Sequence, residues 1–419
     1  MRPNNDSRQK GGGLKGWKRI RTIHAKNVLP RKPVAFLLLA FLPAILSGCW
    51  DRTEINDIAI VMATGIDLAG DNTYRVSVQV ALPGQMGGQT GGGGGTSGNK
   101  SYYVDSDTGK TMREAVNKIQ SRMSRKLFFS HRRVFVVSEQ LARKKGIVPL
   151  FDEVSRMPEN RLTSYLVVSA GKAYELLNIQ PKFERFSGEA IREIAKAKSV
   201  IPLNLKAIAQ SISLNGSDAI AVYMELKKPQ KAEEPSPEIE FAGYAQFREG
   251  KMVGLWQHDK ANGLQWLLSK PQMQTVTMEG VKKEGLTLVM RRGSSTVNPI
   301  IVGGHVHLDV RVKAEADVLE DWNNEDLSDP QSIQSLERDF AKMIRKNIET
   351  AFSEMIREKV DSAAIGQRIS RKYPRIWQEN LAPKWDEAFA QTTLSVSAAV
   401  KIRSVGLVTN NIAEKERPT

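Results

Sequence analysis

Read as a succession of apolar and polar positions, the chain predicts strands alternating with helices from about residue 59 to residue 402. Ala59–Ile66 (AIVMATGI) and Tyr74–Leu82 (YRVSVQVAL) have the pattern of strands, the second with Val76, Val78 and Val80 on one face of the pleat. In Thr108–Lys126 the apolar residues Met112, Ala115, Val116, Ile119 and Met123 recur at the spacing of one helical face, which predicts a helix packed on a sheet. A strand at Arg133–Ser138, a helix at Ile147–Met157 stopped by Pro158, and a strand at Leu162–Ser169 complete a βαβαβ-like order, the signature of a mixed sheet flanked by helices. Residues 171–215 predict mainly helix, broken at Pro181 and Pro202, before a strand at Ala219–Leu226.

Two stretches interrupt this pattern. Residues 84–99 (GQMGGQTGGGGGTSGN) offer no packable side chain beyond Met86 and lack the strand–helix spacing of a phosphate-binding glycine loop, so they predict a tether. Residues 227–238 (KKPQKAEEPSPE) combine charge with three prolines and predict a linker or a long exposed hairpin loop. Beyond them, Ile239–Arg248 and Met252–Gln257 predict a hairpin turning at Glu249-Gly250-Lys251, followed by a short helix near Gly263–Leu268 and a β region over 285–313. The longest helix begins with Asp329 as N-cap and Pro330 in the first turn. Its apolar stripe from Ile333 to Val360 needs a partner, for which a sheet of its own domain is the expected one. A strand at Thr393–Ile402 closes the pattern.

Ahead of this alternating region lies the only strongly apolar run, Val34–Leu46 (VAFLLLAFLPAIL). At 13 residues with Pro43 inside it, the run is too short for a membrane-spanning helix, which needs about 20. A basic stretch precedes it and the small residues Ser47 and Gly48 follow, directly before Cys49, the only cysteine among 419 residues. That is the order of a secretory leader, residues 1–48, with its apolar core at 34–46, and Leu46-Ser47-Gly48-Cys49 resembles the bacterial lipobox. Cys49 is then the expected lipidation site, its thiol taking a diacylglyceryl group as a thioether and the product carrying palmitate-type chains. Removing the leader also changes the charge. Residues 1–33 hold ten Lys or Arg and one Asp, +9 of the formal +15, leaving about +6 for the 371 residues from Cys49. No basic cluster with interleaved aromatics remains, so nucleic acid is not an expected partner. A single cysteine excludes an internal disulfide, and 41% apolar residues suffice for ordinary cores in two or three domains.

Catalytic chemistry is hard to find. No nucleophile-elbow pattern occurs, and the four histidines after the leader are His131, His258, His305 and His307. His305 and His307 share a strand face with Asp309, but without further ligands at suitable spacing they predict no metal site. His131, between helix and strand, is expected to hydrogen-bond locally. No catalytic residue and no cofactor is expected.

Particular residues carry a family resemblance. Cys49-Trp50-Asp51-Arg52-Thr53-Glu54-Ile55-Asn56-Asp57 followed by AIVMATGID (59–67), then Ser130-His131-Arg132-Arg133-Val134 with Ser138-Glu139, then Tyr373-Pro374-Arg375-Ile376-Trp377 and Trp385, resemble the Ger(x)C family, the lipoprotein C subunits of spore germinant receptors. The long basic leader and the glycine tract at 91–95 depart from that pattern without touching the matching segments. The resemblance implies an α/β (α+β) protein of three mixed domains, each a sheet with surrounding helices. It divides the chain into an N-terminal germination-protein region at 49–226 (a first domain over about 55–180 and the helical start of a second over about 181–226), a linker at 227–238 and a C-terminal region at 239–412. That last region holds the rest of the second domain, about 239–318, and a third with the long helix, about 329–361. It further implies a non-enzymatic subunit on the outer face of the spore inner membrane, working with two polytopic subunits, while direct contact with a small-molecule germinant stays open. Trp50 is expected beside the headgroups, and Trp377 and Trp385 in the core. The reading from a different class is a solute-binding lipoprotein that delivers a nutrient to a transporter.

Overall fold

In the computed structural model, residues 54–82, 100–228, 237–279, 285–322 and 326–408 are described. Cys49 and its lipobox, the glycine-rich run at 83–99 and most of the 227–238 segment lie outside them. Ile55–Thr419 form one compact unit, in which the described strands make two sheets.

The first sheet has nine strands. β1 (Ile58–Gly70), β2 (Thr73–Ala81) and β3 (Tyr102–Gly109) form an antiparallel meander. After α1 (Met112–Gln120), the short β4 (Lys126–Phe128) pairs parallel with the start of β1, and β5 (Val134–Ser138) pairs parallel with its middle. Helices α2 (Glu139–Lys144) and α3 (Val148–Arg156) lead to β6 (Tyr165–Ser169), parallel to β5. Three helices follow, α4 (Ala173–Asn178), α5 (Ser187–Ala195) and α6 (Leu205–Ser213), before β7 (Ile220–Lys227), parallel to β6. All five residues of β5 are buried, as expected of a parallel strand covered on both faces.

The β7 edge does not end the sheet. β8 (Glu238–Arg248) pairs antiparallel with β7 as far as Lys227 opposite Glu238, so the charged, proline-rich segment joins the two strands of a hairpin. β9 (Lys251–Trp256) adds the last strand through a turn in which Glu249 and Gly250 both take positive φ, 50° and 76°. Residues 239–256, expected with the C-terminal half, thus extend the sheet built by the N-terminal half.

Helix α7 (His258–Leu267) leads into the second sheet, β10 (Thr275–Glu279), β11 (Gly285–Val302), β12 (His305–Asp321) and β13 (Thr393–Ser404). β12 and β13 are parallel, which demands a crossover, and the long helix α8 (Pro330–Glu358) supplies it. Asp329 caps that helix, accepting from the backbone N–H groups of Gln331 and Ser332 at 3.2 and 3.1 Å. Its buried stripe, Leu336, Phe340, Ile344, Ile348, Phe352 and Met355 among others, packs on β13 and on α7, so a sheet does cover it and a helix shares the task. Helices α9 (Ile365–Lys372) and α10 (Trp385–Ala390), with a π-helical turn at Trp377–Leu381 between them, complete the crossover.

Several boundaries differ from expectation: the helix expected near Gly263 begins at His258, the β region expected to end at 313 runs to Asp321, and the Thr275–Glu279 strand is not among the expected elements. The helix expected from Thr108 starts only at Met112, capped by Thr111, and is preceded by β3. β3 escapes an apolar-pattern reading because its middle, Asp105-Ser106-Asp107-Thr108, is polar. That stretch is held by Arg122, which donates to Asp105 at 2.8 and 2.9 Å and to Asp107 at 2.5 Å.

Candidate functional site

Three places bring chemistry-bearing residues together. The first is the end of the large sheet where the described chain begins. Glu54 leads through a short turn at Ile55–Asp57 into β1, whose first residue, Ile58, lies opposite Lys126. At the same end Ala81 of β2 pairs with Tyr102, and the Ser101 hydroxyl donates to the carbonyl of Arg185, which brings the α4–α5 loop alongside. Ile55 is 72% exposed there and Phe183 97%, with Lys100, Lys126 and Lys182 also exposed. Four residues separate Glu54 from Cys49 in the sequence, and five separate Ile55 from it. Phe183 gave no signal in the sequence, because a lone aromatic between Lys182 and Glu184 fits no periodic pattern.

The second is the Ser130–Val134 segment. His131 is exposed, its ring 5.9 Å from that of Phe128, and the residue that organises the loop is its neighbour Arg132. The Arg132 guanidinium is 4% exposed, donates to Thr64 Oγ1 at 3.1 Å and to Asn160 Oδ1, and lies 3.8 Å from the ring centroid of Phe135 and 4.8 Å from that of Phe129. Burial pulls its pKa down to about 9. Two aromatic faces and two neutral oxygens hold this cation in the core. Elsewhere, His307 has both ring nitrogens engaged, Nδ1 with Thr393 Oγ1 at 2.8 Å and Nε2 with Ser395 Oγ at 2.9 Å. No His, Cys, Asp and Glu cluster fit for a metal ion occurs among the described residues.

The third place is the joint between the end of the N-terminal half and the α8–α9 crossover. Helix α8 ends with Lys359 in the left-handed region, and Asp361 follows, 2% exposed. The Asp361 carboxylate accepts from the N–H groups of Ile365 and Gly366, both at 2.8 Å, and so fixes the start of α9. Its own N–H donates to Asp218 Oδ2 at 2.8 Å, while the Asp218 N–H donates back to the Asp361 carbonyl at 2.9 Å. Burial pushes the Asp361 carboxyl up to about 7 and Asp218 up to about 6, against the backbone donors that favour the charged forms. Gly216 and Gly366 meet beside them. A Cβ on Gly366 would stand 2.5 Å from Gly216 Cα, and Gly216 itself takes φ +79°. Trp377 closes the contact, stacked edge-on with Trp385 at 5.1 Å, and both indoles are buried as expected. A cleft of about 330 Å³ opens beside the joint, walled by α6, the Ser217–Ile220 strand entry, Leu268–Lys270 and α9. No short motif announces these residues, which come from positions about 150 apart.

The large sheet and the α8–α9 crossover of the second sheet thus meet at a buried pair of aspartates, Asp218 and Asp361. Comparison with known proteins gives the family. Residues 51–226 match the spore germination protein N-terminal domain, and residues 242–406 match the spore germination B3/GerAC-like C-terminal domain. The chain is 30% identical over 371 residues to YfkR of Bacillus subtilis (strain 168), covering 88% of this chain and 96% of that protein. It is 27% identical over 401 residues to spore germination protein KC of the same strain, covering 91% and 98%. Among solved structures, the GerBC protein superposes with a TM-score of 0.53 at 19% identity, over 81% of this chain and 96% of that one, a likeness of fold. The chain belongs to the GerAC family of spore germination proteins. That family is a non-enzymatic component of germinant receptors, and the chain's role lies in spore germination.

Proposed function

We propose that this chain is a lipid-anchored subunit of a spore nutrient germinant receptor, held on the outer face of the membrane by a diacylglyceryl group on Cys49 and acting through contacts with two polytopic membrane subunits. One observation supports the reading: the family match begins at residue 51, two residues after Cys49, as expected if a leader ends at the lipobox. No helix among the described residues is long and apolar enough to cross a membrane, and a lipid on Cys49 supplies an anchor of another kind. The entry end of the large sheet suits that placement, since Phe183 and Ile55 project where the tether arrives and Lys100, Lys126 and Lys182 complement anionic headgroups. Confinement to the membrane plane raises the subunit's effective concentration beside its partners.

The test is fractionation of spores carrying Cys49→Ser. The variant protein is expected folded and in the soluble fraction. Retention in the membrane at the wild-type level refutes the lipid as the anchor. Native purification of the unaltered protein is expected to bring down two multi-span membrane proteins, and their absence refutes the receptor assembly.

A further inference from the structure

We propose that the cleft between α6 and α9 is a binding site for a small organic carboxylate. Its volume, about 330 Å³, is at the lower end of the range for small-molecule sites. One wall is apolar, with Ile201, Leu203 and Ile208 near the start of α6 and Leu268 at the end of α7. The rest of the lining includes polar and cationic residues, among them Ser217, Ser362, Lys270, Arg368 and Arg371.

Hydrogen-bond accounting among those polar residues identifies the ligand's chemistry. The hydroxyls of Ser217 and Ser362 and the Nε–H of Arg368 are shielded from solvent, and none has a hydrogen-bond partner among the described residues. Ser362 is 2% exposed. Buried polar groups in folded proteins are nearly always paired, so three unpaired donors on residues that line one cleft call for an acceptor from outside. The Arg368 guanidinium is held in place from its far edge, where Nη2 donates to the Leu267 carbonyl at 3.2 Å and to Ser269 Oγ at 3.3 Å, leaving Nε–H available. Three cations in the lining outnumber the two acids near them: Asp218, whose Oδ2 already accepts from the Asp361 N–H, and the buried Asp361, whose carboxylate is taken up by the Ile365 and Gly366 N–H groups. An ammonium group would meet net repulsion here, and a neutral polyol would leave the charge uncompensated. A carboxylate offers only acceptors and carries the complementary charge, and a short hydrocarbon body covers the apolar wall. Because Ser217 belongs to the large sheet's side of the joint and Ser362 and Arg368 to the crossover's side, the ligand would bridge the two and stabilise their docking.

The experiment is isothermal titration and thermal melting of the full chain in detergent micelles with three probes: isovalerate, its uncharged analogue isovaleramide, and inorganic phosphate. Isovalerate is expected to bind saturably at one site within a range of up to about 10 mM and to raise the melting temperature. Arg368→Gln should weaken binding about 10- to 100-fold, the effect of a lost charge-assisted hydrogen bond. Ser362→Ala should weaken it about 5-fold while the ligand-free protein melts no lower than wild type, because an unpaired hydroxyl has been removed. This second variant keeps the test decisive if Arg368→Gln fails to fold. The proposal is overturned if isovalerate shows no saturable binding, if isovaleramide binds as tightly, if phosphate displaces isovalerate at lower concentration, or if Ser362→Ala leaves the affinity unchanged. Loss of membrane anchoring in Cys49→Ser has no bearing on any of these outcomes.

Discussion

Gly366→Ala is the sharpest probe of the joint, because it adds one methyl group and keeps the N–H that Asp361 accepts. The new Cβ would lie 2.5 Å from Gly216 Cα, 2.7 Å from Trp377 Cη2 and 2.9 Å from the Gly216 carbonyl oxygen. Carbon atoms in contact ordinarily sit about 3.5–4 Å apart, so the Gly216 loop must retreat by roughly 1 Å or more. Overpacking of this kind costs about 1–3 kcal/mol. The retreat also strains three backbone contacts: Gln367 N–H to the Gly216 carbonyl at 3.0 Å, and the two reciprocal bonds of Asp218 and Asp361 at 2.9 and 2.8 Å. Weakening them adds about 1–2 kcal/mol, and the better helix propensity of alanine returns at most about 1 kcal/mol. The net loss of about 3 kcal/mol corresponds to a fall in melting temperature of about 6 °C for a chain of this size, taking about 2 °C per kcal/mol. Differential scanning fluorimetry of the purified chain measures it. Tryptophan fluorescence provides a local readout, since Trp377 touches the altered site. Gly303→Ala is the control. That glycine has φ +58° and no atom of the described residues within 4 Å of an added Cβ, so only the left-handed backbone penalty of about 1 kcal/mol applies. A Gly366→Ala protein that melts at or above the wild-type temperature refutes the close approach of the two segments.

Asp218 and Asp361 give the stability a definite pH dependence. Burial raises both from an ordinary 3.8, to about 6 and about 7, so between pH 4 and 7 the folded chain holds protons that the unfolded chain has released. Their contribution is fully present below about pH 4 and is lost as pH rises through 6 and 7. Urea midpoints across that range, compared with those of Asp218→Asn, are expected to show a shallower slope in the variant, and an unchanged slope refutes the assignment. Arg132→Ala leaves Thr64 and Asn160 without their donor and opens the space between Phe129 and Phe135. A loss of about 3 kcal/mol in chemical denaturation is expected, against less than about 0.5 kcal/mol for the exposed Arg133→Ala, and equal effects refute the buried stacking.

Much of the architecture is legible where one periodicity dominates. The alternation of Val76, Val78 and Val80 marks β2, the stripe from Ile333 onward marks α8, and Asp329-Pro330 marks its start because a cap acts within three residues of itself. β3 is concealed by Asp105 and Asp107, whose partner Arg122 lies beyond the next helix. In Ser130–Val134 the titratable histidine draws attention, while the buried cation is Arg132, because burial is decided by Phe129, Phe135 and Asn160 together rather than by residue type. The joint is opaque for the same reason. Asp218 and Asp361, Gly216 and Gly366, Ser217 and Arg368 are ordinary residues in their local sequence, and they acquire meaning only when folding brings them together.

The pairing of β7 with β8 bears on how this chain can be divided. The two family matches end at 226 and resume at 242, which invites separate expression of the halves, yet both of those residues lie in strands of one continuous sheet. An isolated N-terminal half would carry the bare edge of β7, and an isolated C-terminal half would carry β8 and β9 with no sheet to join. Each would offer unpaired backbone to whatever strand came near. A polypeptide cleaved between Lys228 and Pro237 after folding keeps every described ladder bond of that hairpin. The two halves therefore suit fragment complementation, in which co-expressed pieces reassemble into a whole that neither forms by itself.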